Sequence, residues 1–204
     1  MSSGGGKDAH NPDAIPAELK SRPQWLNWRL IPGENGQRTK VPTSPEMGQS
    51  IDPLDPANWR GFDDALRSLG SDYADGIGFV FSEDDPFAGV DLDHVLDPET
   101  GEIETWALEV VESLDSYTEV SPSGTGLHVI IKGELPGSRN RRGKIEMYDS
   151  GRFFSVTGER YPSTPRQPRD RQADLDAVYA EHIAPAGAEG SRTSSRSPPP
   201  SACR

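Results

Sequence analysis

The chain has 204 residues, of which 32% are hydrophobic, and a formal net charge of −12. No apolar run approaches the roughly 20 residues that a membrane-spanning helix needs, which argues against a helical membrane protein. The single cysteine, Cys203, excludes a disulfide framework and a zinc site built from cysteines.

The two ends of the sequence differ in composition from its middle. The Gly- and Ser-rich start and the Ser- and Pro-rich end predict disordered tails over residues 1–15 and 184–204. One compact domain is expected between them, over residues 16–183. The start lacks the apolar segment of a secretory signal, so we expect a cytoplasmic protein with no membrane partner.

Charge is distributed unevenly along the chain. Residues 50–120 hold 19 Asp and Glu against two Arg, whereas residues 132–171 hold ten Lys and Arg against five acidic residues. An acidic first part can bind cations and a basic second part can bind phosphates. A well-hydrated surface is the alternative explanation of the acidic excess.

Hydrophobic patterns predict the secondary structure. In chain order they indicate a strand over 24–31, a helix capped by Asp55 and continuing to Leu69, strands over 76–81 and 87–93 joined as a hairpin, a helix over 103–114, strands over 117–120, 127–132, 144–148 and 153–157, and a helix over 172–183. Strands in hairpins with helices between them predict an α+β fold, with mostly antiparallel sheets and flanking helices.

The first motif that can carry chemistry is VDLDH, at residues 90–94. In a strand, Asp91 and Asp93 point to the same side, about 6.6 Å apart along the backbone. Two carboxylates on one face repel each other unless a cation lies between them, and Mg²⁺ and Mn²⁺ prefer such oxygen ligands. The alternative is a turn cap at Asp93 beside a lone exposed acid.

The second motif is the loop SPSGTG, at residues 121–126, followed by a strand that contains His128. Such a loop can direct hydroxyls and backbone N–H groups at phosphate oxygens. Its spacing fits neither the P-loop nor the dinucleotide fingerprint. The alternative is an ordinary hairpin loop followed by a structural histidine.

The third motif is KIEMYD, at residues 144–149, where Ile145 and Met147 alternate with Glu146. Glu146 becomes a third metal carboxylate if its face of the sheet also carries Asp91 and Asp93; a solvated edge strand is the alternative. Arg152, which follows, can either neutralise a triphosphate or pair with Glu146 or Asp149.

In this order, the motifs VDLDH, SPSGTGLHV and KIEMYD with RFFSVTG resemble the archaeo-eukaryotic primase superfamily, specifically the primase-polymerase domain of phage and plasmid replication proteins. That family is recognised by an acidic DxD strand, an SxH-type strand and a third acidic strand. The segments QWLNWR, Lys40-Val41-Pro42, DPANWRGFDDAL and DGIGFVF extend the resemblance over about residues 16–160. It implies an RRM-related catalytic core.

The resemblance also implies a role for each matched residue. Asp91, Asp93 and Glu146 would hold two divalent ions, Mg²⁺ or Mn²⁺, and His128 would contact the phosphates of the incoming nucleotide. Further nucleotide contacts are implied for Ser123, Gly124, Thr125, Gly126, Arg152 and Lys40.

The implied activity is that of a DNA-directed primase or polymerase, which transfers nucleotides from nucleoside triphosphates to a primer on a DNA template. The basic segment 139–144 would then track the template backbone. Family members often continue into a helicase, so a separate helicase or another replication protein is a further candidate partner.

Two other classes of function remain open from the sequence. One is a catalytically silent module, from a truncated mobile-element replication protein, that still binds nucleotide or DNA. The other is a metal-dependent nuclease that uses the same carboxylates. The SPSGTGLH segment discriminates against the nuclease, because it suits a nucleoside triphosphate better than a scissile strand.

Overall fold

The computed structural model describes residues 11–33, 38–69 and 71–184. Its strands are β1 Trp25–Pro32, β2 Arg38–Thr43, β3 Gly76–Phe81, β4 Phe87–Leu92, β5 Tyr117–Val120, β6 Leu127–Lys132, β7 Arg141–Arg142, β8 Ile145–Tyr148 and β9 Arg152–Val156. Its helices are α1 Ala17–Lys20, α2 Phe62–Arg67, α3 Thr105–Leu114 and α4 Gln172–His182, with short 3-10 turns at Pro12–Ala14 and Pro56–Asn58.

The strands form two antiparallel sheets. The first has the order β2-β1-β3-β9 and the second the order β5-β6-β4-β8-β7. The predicted α+β fold with mostly antiparallel sheets and flanking helices is therefore confirmed. Within the described ranges, no helix has the length and apolarity required to cross a membrane.

The second sheet is the middle layer of the molecule, because both of its faces are covered. Val90 and Leu92 of β4 pack in one core with Val110 and Leu114 of α3. Phe87, of opposite parity in β4, packs in the other core with residues of the first sheet. Side chains alternate along β4, so Asp91, like Phe87, lies on the face toward the first sheet and away from the helices.

The predicted hairpin between residues 76–81 and 87–93 is wrong, because these two strands lie in different sheets. β3 pairs with β1 and β9, whereas β4 pairs with β6 and β8. In the turn between them, the Asp85 carboxylate accepts hydrogen bonds from the N–H groups of Ser82 and Phe87. Phe81 and Phe87 are both buried in the core between the sheets, so the turn carries the chain across that core.

The helix predicted to begin at Asp55 is divided into two parts. Asp55 does act as a cap, since its carboxylate accepts from the Ala57 N–H at 3.0 Å, but it caps the short 3-10 turn. Arg60 then exchanges backbone hydrogen bonds with Trp25 of β1. That exchange requires extended backbone at Arg60, so α2 begins only at Phe62.

Residues 11–15, which the composition places in the N-terminal tail, are folded onto the core. The Asn11 N–H donates to the Thr157 carbonyl at 2.8 Å, and Ile15 is buried. The remainder of the predicted tails, residues 1–10 and 185–204, lies outside the described residues.

Candidate active site

One row of polar side chains crosses all five strands of the second sheet. The register places Asp91 of β4 directly opposite His128 of β6 on one side and Glu146 of β8 on the other. Glu119 of β5 lies opposite His128, and Arg141 of β7 lies opposite Glu146. Backbone pairing alone thus brings together one residue from each of the three sequence motifs.

Aromatic rings from the first sheet close one side of this row. The Phe154 ring lies 5.0 Å from the His128 ring, tilted by 36°. Gly89 makes this approach possible, because a Cβ atom at this position would lie 2.5 Å from Phe154 and 2.6 Å from Phe81. The row therefore lies beside an aromatic wall formed by Phe81 and Phe154, and electrostatic interactions next to such buried apolar groups are stronger than in water.

Asp91 is at the centre of the row and is largely buried. Its carboxylate lies 3.7 Å from His128 Nε2, and its side chain is 20% exposed. Burial raises the pKa of Asp91; the charges of Asp93 and Glu146 raise it further, while His128 opposes the shift. The local electrostatics therefore favour addition of positive charge beside Asp91.

Asp93 does not continue the strand as predicted, because β4 ends at Leu92. Its N–H donates to the Lys144 carbonyl at 2.8 Å, which joins the end of the first motif to the start of the third. The contribution of Asp93 to the pKa of Asp91 places the two carboxylates within electrostatic range of each other.

Glu146 is also buried, and its carboxylate already has three partners. Its Oε1 lies 2.8 Å from a guanidinium nitrogen of Arg141, and its Oε2 accepts from the Tyr148 hydroxyl at 2.8 Å. Arg152 approaches Oε2 at 3.5 Å and lies over the Tyr148 ring. Of the two interpretations of Arg152, the structure shows the pairing with Glu146.

His128 is buried between two carboxylates. Burial alone lowers the pKa of an imidazole, but the neighbouring carboxylates of Glu119 and Asp91 outweigh burial and raise the pKa of His128. The ring is thus biased toward the cationic form beside Asp91, as contact with an anionic ligand requires.

The SPSGTG loop joins β5 to β6 and lies against the end of β4. The hydroxyls of Ser121, Ser123 and Thr125 form a chain with 3.0 Å contacts, and Thr125 lies 3.4 Å from the His94 ring. The N–H groups of Gly124 and Thr125 are already bonded within the loop. The exposed hydroxyls are therefore better candidates for phosphate contacts than these two N–H groups.

Gly126 allows the loop to approach the end of the DxD strand. A Cβ atom there would lie 2.7 Å from the Leu92 carbonyl oxygen, too close for any side chain. The Thr125 carbonyl accepts the N–H groups of Val95 and Leu96 at 2.9 Å. These bonds fix the loop to the segment that follows Asp93.

Lys40 comes from the other sheet, on β2, and its ammonium lies 5.2 Å from the centre of the Trp28 ring. Its positive charge lowers the pKa of both Asp91 and His128. The predicted nucleotide-binding lysine is thus within electrostatic range of the row, although it is distant in sequence from the three motifs.

The donor set fits a divalent cation only in part. Within the described ranges, no three His, Cys, Asp or Glu side chains are grouped so as to hold a metal ion. Asp91 and Asp93 supply the oxygen donors and the like-charge repulsion that a hard cation relieves. Glu146 has the right chemistry, but Arg141 and Tyr148 bind its oxygens, so ligation by Glu146 requires that Arg141 withdraw.

Two features of the row were not predicted from the sequence. One is the presence of Glu119, and the other is the ion pair between Arg141 and Glu146. Glu119 can be found by counting outward from the SPSGTG loop: Val120 pairs with Leu127, and the next pair is Glu119 with His128. No comparable signal identifies Arg141, because its two-residue strand has no hydrophobic pattern.

These features define a class of domain. Two antiparallel sheets, with an acidic strand end, an SxH-type strand and a third acidic strand adjacent in one sheet, are the arrangement expected for a primase-polymerase domain.

Comparison with known proteins supports this class. No family model matches the sequence. Over 180 residues the chain is 37% identical to a DNA primase-polymerase of Nitratiruptor phage NrS-1. The match covers 82% of this chain and 24% of the phage protein, so the chain spans about a quarter of that relative's length. The predicted resemblance to a primase-polymerase domain is thereby confirmed.

Proposed function

We propose that this chain is a metal-dependent nucleotidyltransferase domain that extends a primer on a DNA template. The observation that carries the proposal is the position of Asp91, directly between His128 and Glu146 in one cross-strand row. The named activity of the phage relative, over a segment that includes most of this chain, supports the same assignment.

In this proposal, Asp91 and Asp93 hold Mg²⁺ or Mn²⁺, in a two-ion site that Glu146 completes. The chemistry that such ions would supply is activation of the primer 3′ oxygen and neutralisation of charge on the triphosphate and its leaving group. The neighbouring Arg141 and Arg152 stabilise the Glu146 carboxylate until the substrates are bound.

The remaining residues bind the nucleotide. His128 donates to a phosphate oxygen from a buried ring that Phe154 holds in place. Ser123 and Thr125 offer exposed hydroxyls, while Gly124 and Gly126 shape the loop that presents them. Lys40 and Arg152, both from strands of the first sheet, add positive charge near the row. In the basic segment 139–144, the exposed Arg139 and Arg141 would follow the template backbone.

Primer extension tests this function. The full chain is incubated with a primed DNA template, Mg²⁺ or Mn²⁺ and either deoxy- or ribonucleoside triphosphates. Wild type is compared with Asp91→Asn and Asp93→Asn, which remove charge without changing shape. Asp84→Asn is the matched control, because Asp84 is an exposed acid in the turn before β4.

We expect extension by wild type and by Asp84→Asn, and a loss of at least 100-fold in each of the other two variants, in line with the loss of metal-ion catalysis. Metal-dependent shortening of the primer would instead identify a nuclease. Binding of nucleotide without extension, in the wild type, would identify a silent binding module and overturn the proposal.

A further inference from the structure

Glu119 is a fully buried carboxylate at the end of the row farthest from Glu146. Its oxygens accept from the Tyr117 hydroxyl at 2.7 Å and from the N–H groups of Thr157 and Gly158 at 3.0 Å. A buried charge with hydrogen bonds but no counterion is costly, so the location of its positive partner matters.

The partner is His128. Among the described residues, the basic group within ion-pair distance of Glu119 is the His128 ring, with Nδ1 at 3.7 Å from Oε1. Among the described residues, His128 Nδ1 is a buried nitrogen that has no hydrogen-bond partner within 3.5 Å. A small rotation of the His128 side chain closes this gap to a hydrogen bond.

The orientation of the imidazole has a chemical consequence. With Nδ1 facing Glu119, the other ring nitrogen, Nε2, faces Asp91 at 3.7 Å. A ring turned by 180° about its Cβ–Cγ bond would instead present the Cδ2–H group to Glu119 and the Cε1–H group to Asp91. The fixed carboxylate of Glu119 favours one of the two orientations, since three other donors prevent it from moving away.

We propose that Glu119 is a positioning residue: it holds His128 Nδ1 so that Nε2 points toward the Asp91 side of the site. The consequence for nucleotide binding rests on the proposed function. There, Nε2 is the atom that donates to a phosphate oxygen, and Glu119 acts on the nucleotide only through His128.

Glu119 also has a structural role that the experiment must separate from positioning. Its bonds to Thr157 and Gly158 fasten the segment after β9 to β5. If that were its only role, its loss would lower stability and affect nucleotide binding independently of His128.

A double-mutant cycle distinguishes the two roles. Calorimetry gives the Kd of a non-hydrolysable deoxynucleoside triphosphate, with Mg²⁺, for wild type, Glu119→Gln, His128→Asn and the double variant. Tyr117→Phe is the matched control, because it removes one bond to Glu119 while the carboxylate and His128 remain.

We expect Glu119→Gln to raise the Kd about tenfold, as for loss of a hydrogen bond to a charged group. In the His128→Asn background the same change should have no further effect, and Tyr117→Phe should stay within about twofold of wild type by this reasoning. A wild-type Kd in Glu119→Gln, or effects that multiply in the double variant, would overturn the proposal.

A second measurement covers a variant that does not fold and separates this inference from the proposed function. The histidine-ring ¹H–¹⁵N spectrum of the wild-type chain, without nucleotide or metal, should show a slowly exchanging proton on His128 Nδ1. A bare Nδ1 overturns the inference on Glu119. If the proton is present but the wild-type chain binds no nucleotide, the proposed function fails and the positioning remains.

Discussion

Asp91 and Glu146 stand directly opposite each other on neighbouring strands, although the third motif follows the first only after a long stretch of chain. Like charges in such a pair are destabilising. Here each is balanced from the outer side of the pair, Asp91 by His128 and Glu146 by Arg141. The row therefore alternates between acidic and basic groups around a central pair of carboxylates, where an added cation is stabilising.

Arg141 and a divalent cation should compete for the Glu146 carboxylate. Arg141→Ala removes the competitor, so we expect half-maximal primer extension at a Mn²⁺ concentration several-fold lower than in wild type. The reason is that the ion no longer has to displace a charge-assisted hydrogen bond, which contributes on the order of 1.5–3 kcal/mol. Titration of activity against Mn²⁺ measures this shift.

The neighbouring Arg142→Ala is the matched control for that titration. Arg142 lies opposite Ile145, so its side chain projects from the other face, where it approaches the Glu181 carbonyl at 3.4 Å. Its loss should leave the Mn²⁺ requirement unchanged. A higher Mn²⁺ requirement in Arg141→Ala would show that Arg141 serves the substrates rather than Glu146.

Gly89 is a second point at which the site depends on a small residue. A Cβ atom there meets the Phe154 and Phe81 rings at 2.5 and 2.6 Å, so Gly89→Ala must move at least one ring. We expect a loss of about 1–3 kcal/mol in the free energy of unfolding, typical of an overpacked core. Because Phe154 packs on His128, nucleotide binding should weaken as well.

Chemical denaturation of Gly89→Ala and Gly61→Ala provides the comparison. At Gly61, which precedes α2, a Cβ atom finds only an ordinary 3.5 Å contact with Asp64. Gly61 is also the N-cap residue of α2, where Ala is less favourable than Gly, so that variant should lose about 0.5 kcal/mol. Equal stability losses at the two positions would contradict the role given to the aromatic wall.

The sequence predicts those parts of the fold that depend on local patterns. The hairpin from β5 to β6 and the helix α3 follow from alternation and from helical spacing. Local patterns do not predict which strand pairs with which. Residues 76–81 and 87–92 are each buried on both faces, so their apolar runs do not reveal that the chain crosses between sheets after Phe81.

The candidate site shows the same division. Asp91, His128 and Glu146 were accessible from their motifs, because each lies in a strand with a readable hydrophobic pattern. Arg141 and β2 were not, because the strand that carries Arg141 has only two residues and β2 begins with three exposed polar residues, Arg38–Lys40. The pairing of Arg141 with Glu146 arises only when the sheet is assembled, and single-sequence patterns carry no information on it.

The raised pKa of His128 predicts a pH dependence of stability. A base whose pKa is higher in the folded state than in the unfolded state stabilises the fold fully below its unfolded pKa, about 6.5. This stabilisation is lost as the pH rises through the folded pKa. With a chelator present, we therefore expect the free energy of unfolding to decline with rising pH from about 6.5 upward.

Urea denaturation across this pH range, for wild type and His128→Asn, measures the effect. The variant should lack this part of the decline, because Asn has no proton to lose. His182→Asn is the control, since His182 lies at the end of α4, away from the row. A His128→Asn profile parallel to that of wild type would show that Asp91 and Glu119 do not stabilise the imidazolium.

The last prediction concerns Gly124 and Gly126 in the SPSGTG loop, where substitution by alanine is unfavourable for different reasons. Gly124 has a φ of +74° and open space around it, so Gly124→Ala costs backbone strain of about 1 kcal/mol and little else. Gly126 has no such backbone constraint, but its Cβ would meet the Leu92 carbonyl at 2.7 Å. Gly126→Ala must therefore push the loop away from the end of β4.

Since the loop carries Ser123 and Thr125, this displacement should move the hydroxyls out of register with Asp91 and Asp93. We expect Gly126→Ala to raise the KM for the nucleoside triphosphate at least tenfold, whereas Gly124→Ala, with its local strain of about 1 kcal/mol, should change KM by less than threefold. Steady-state primer extension at varied nucleotide concentration measures both values. If the two variants raise KM equally, the hydroxyls do not act through their position against the DxD strand.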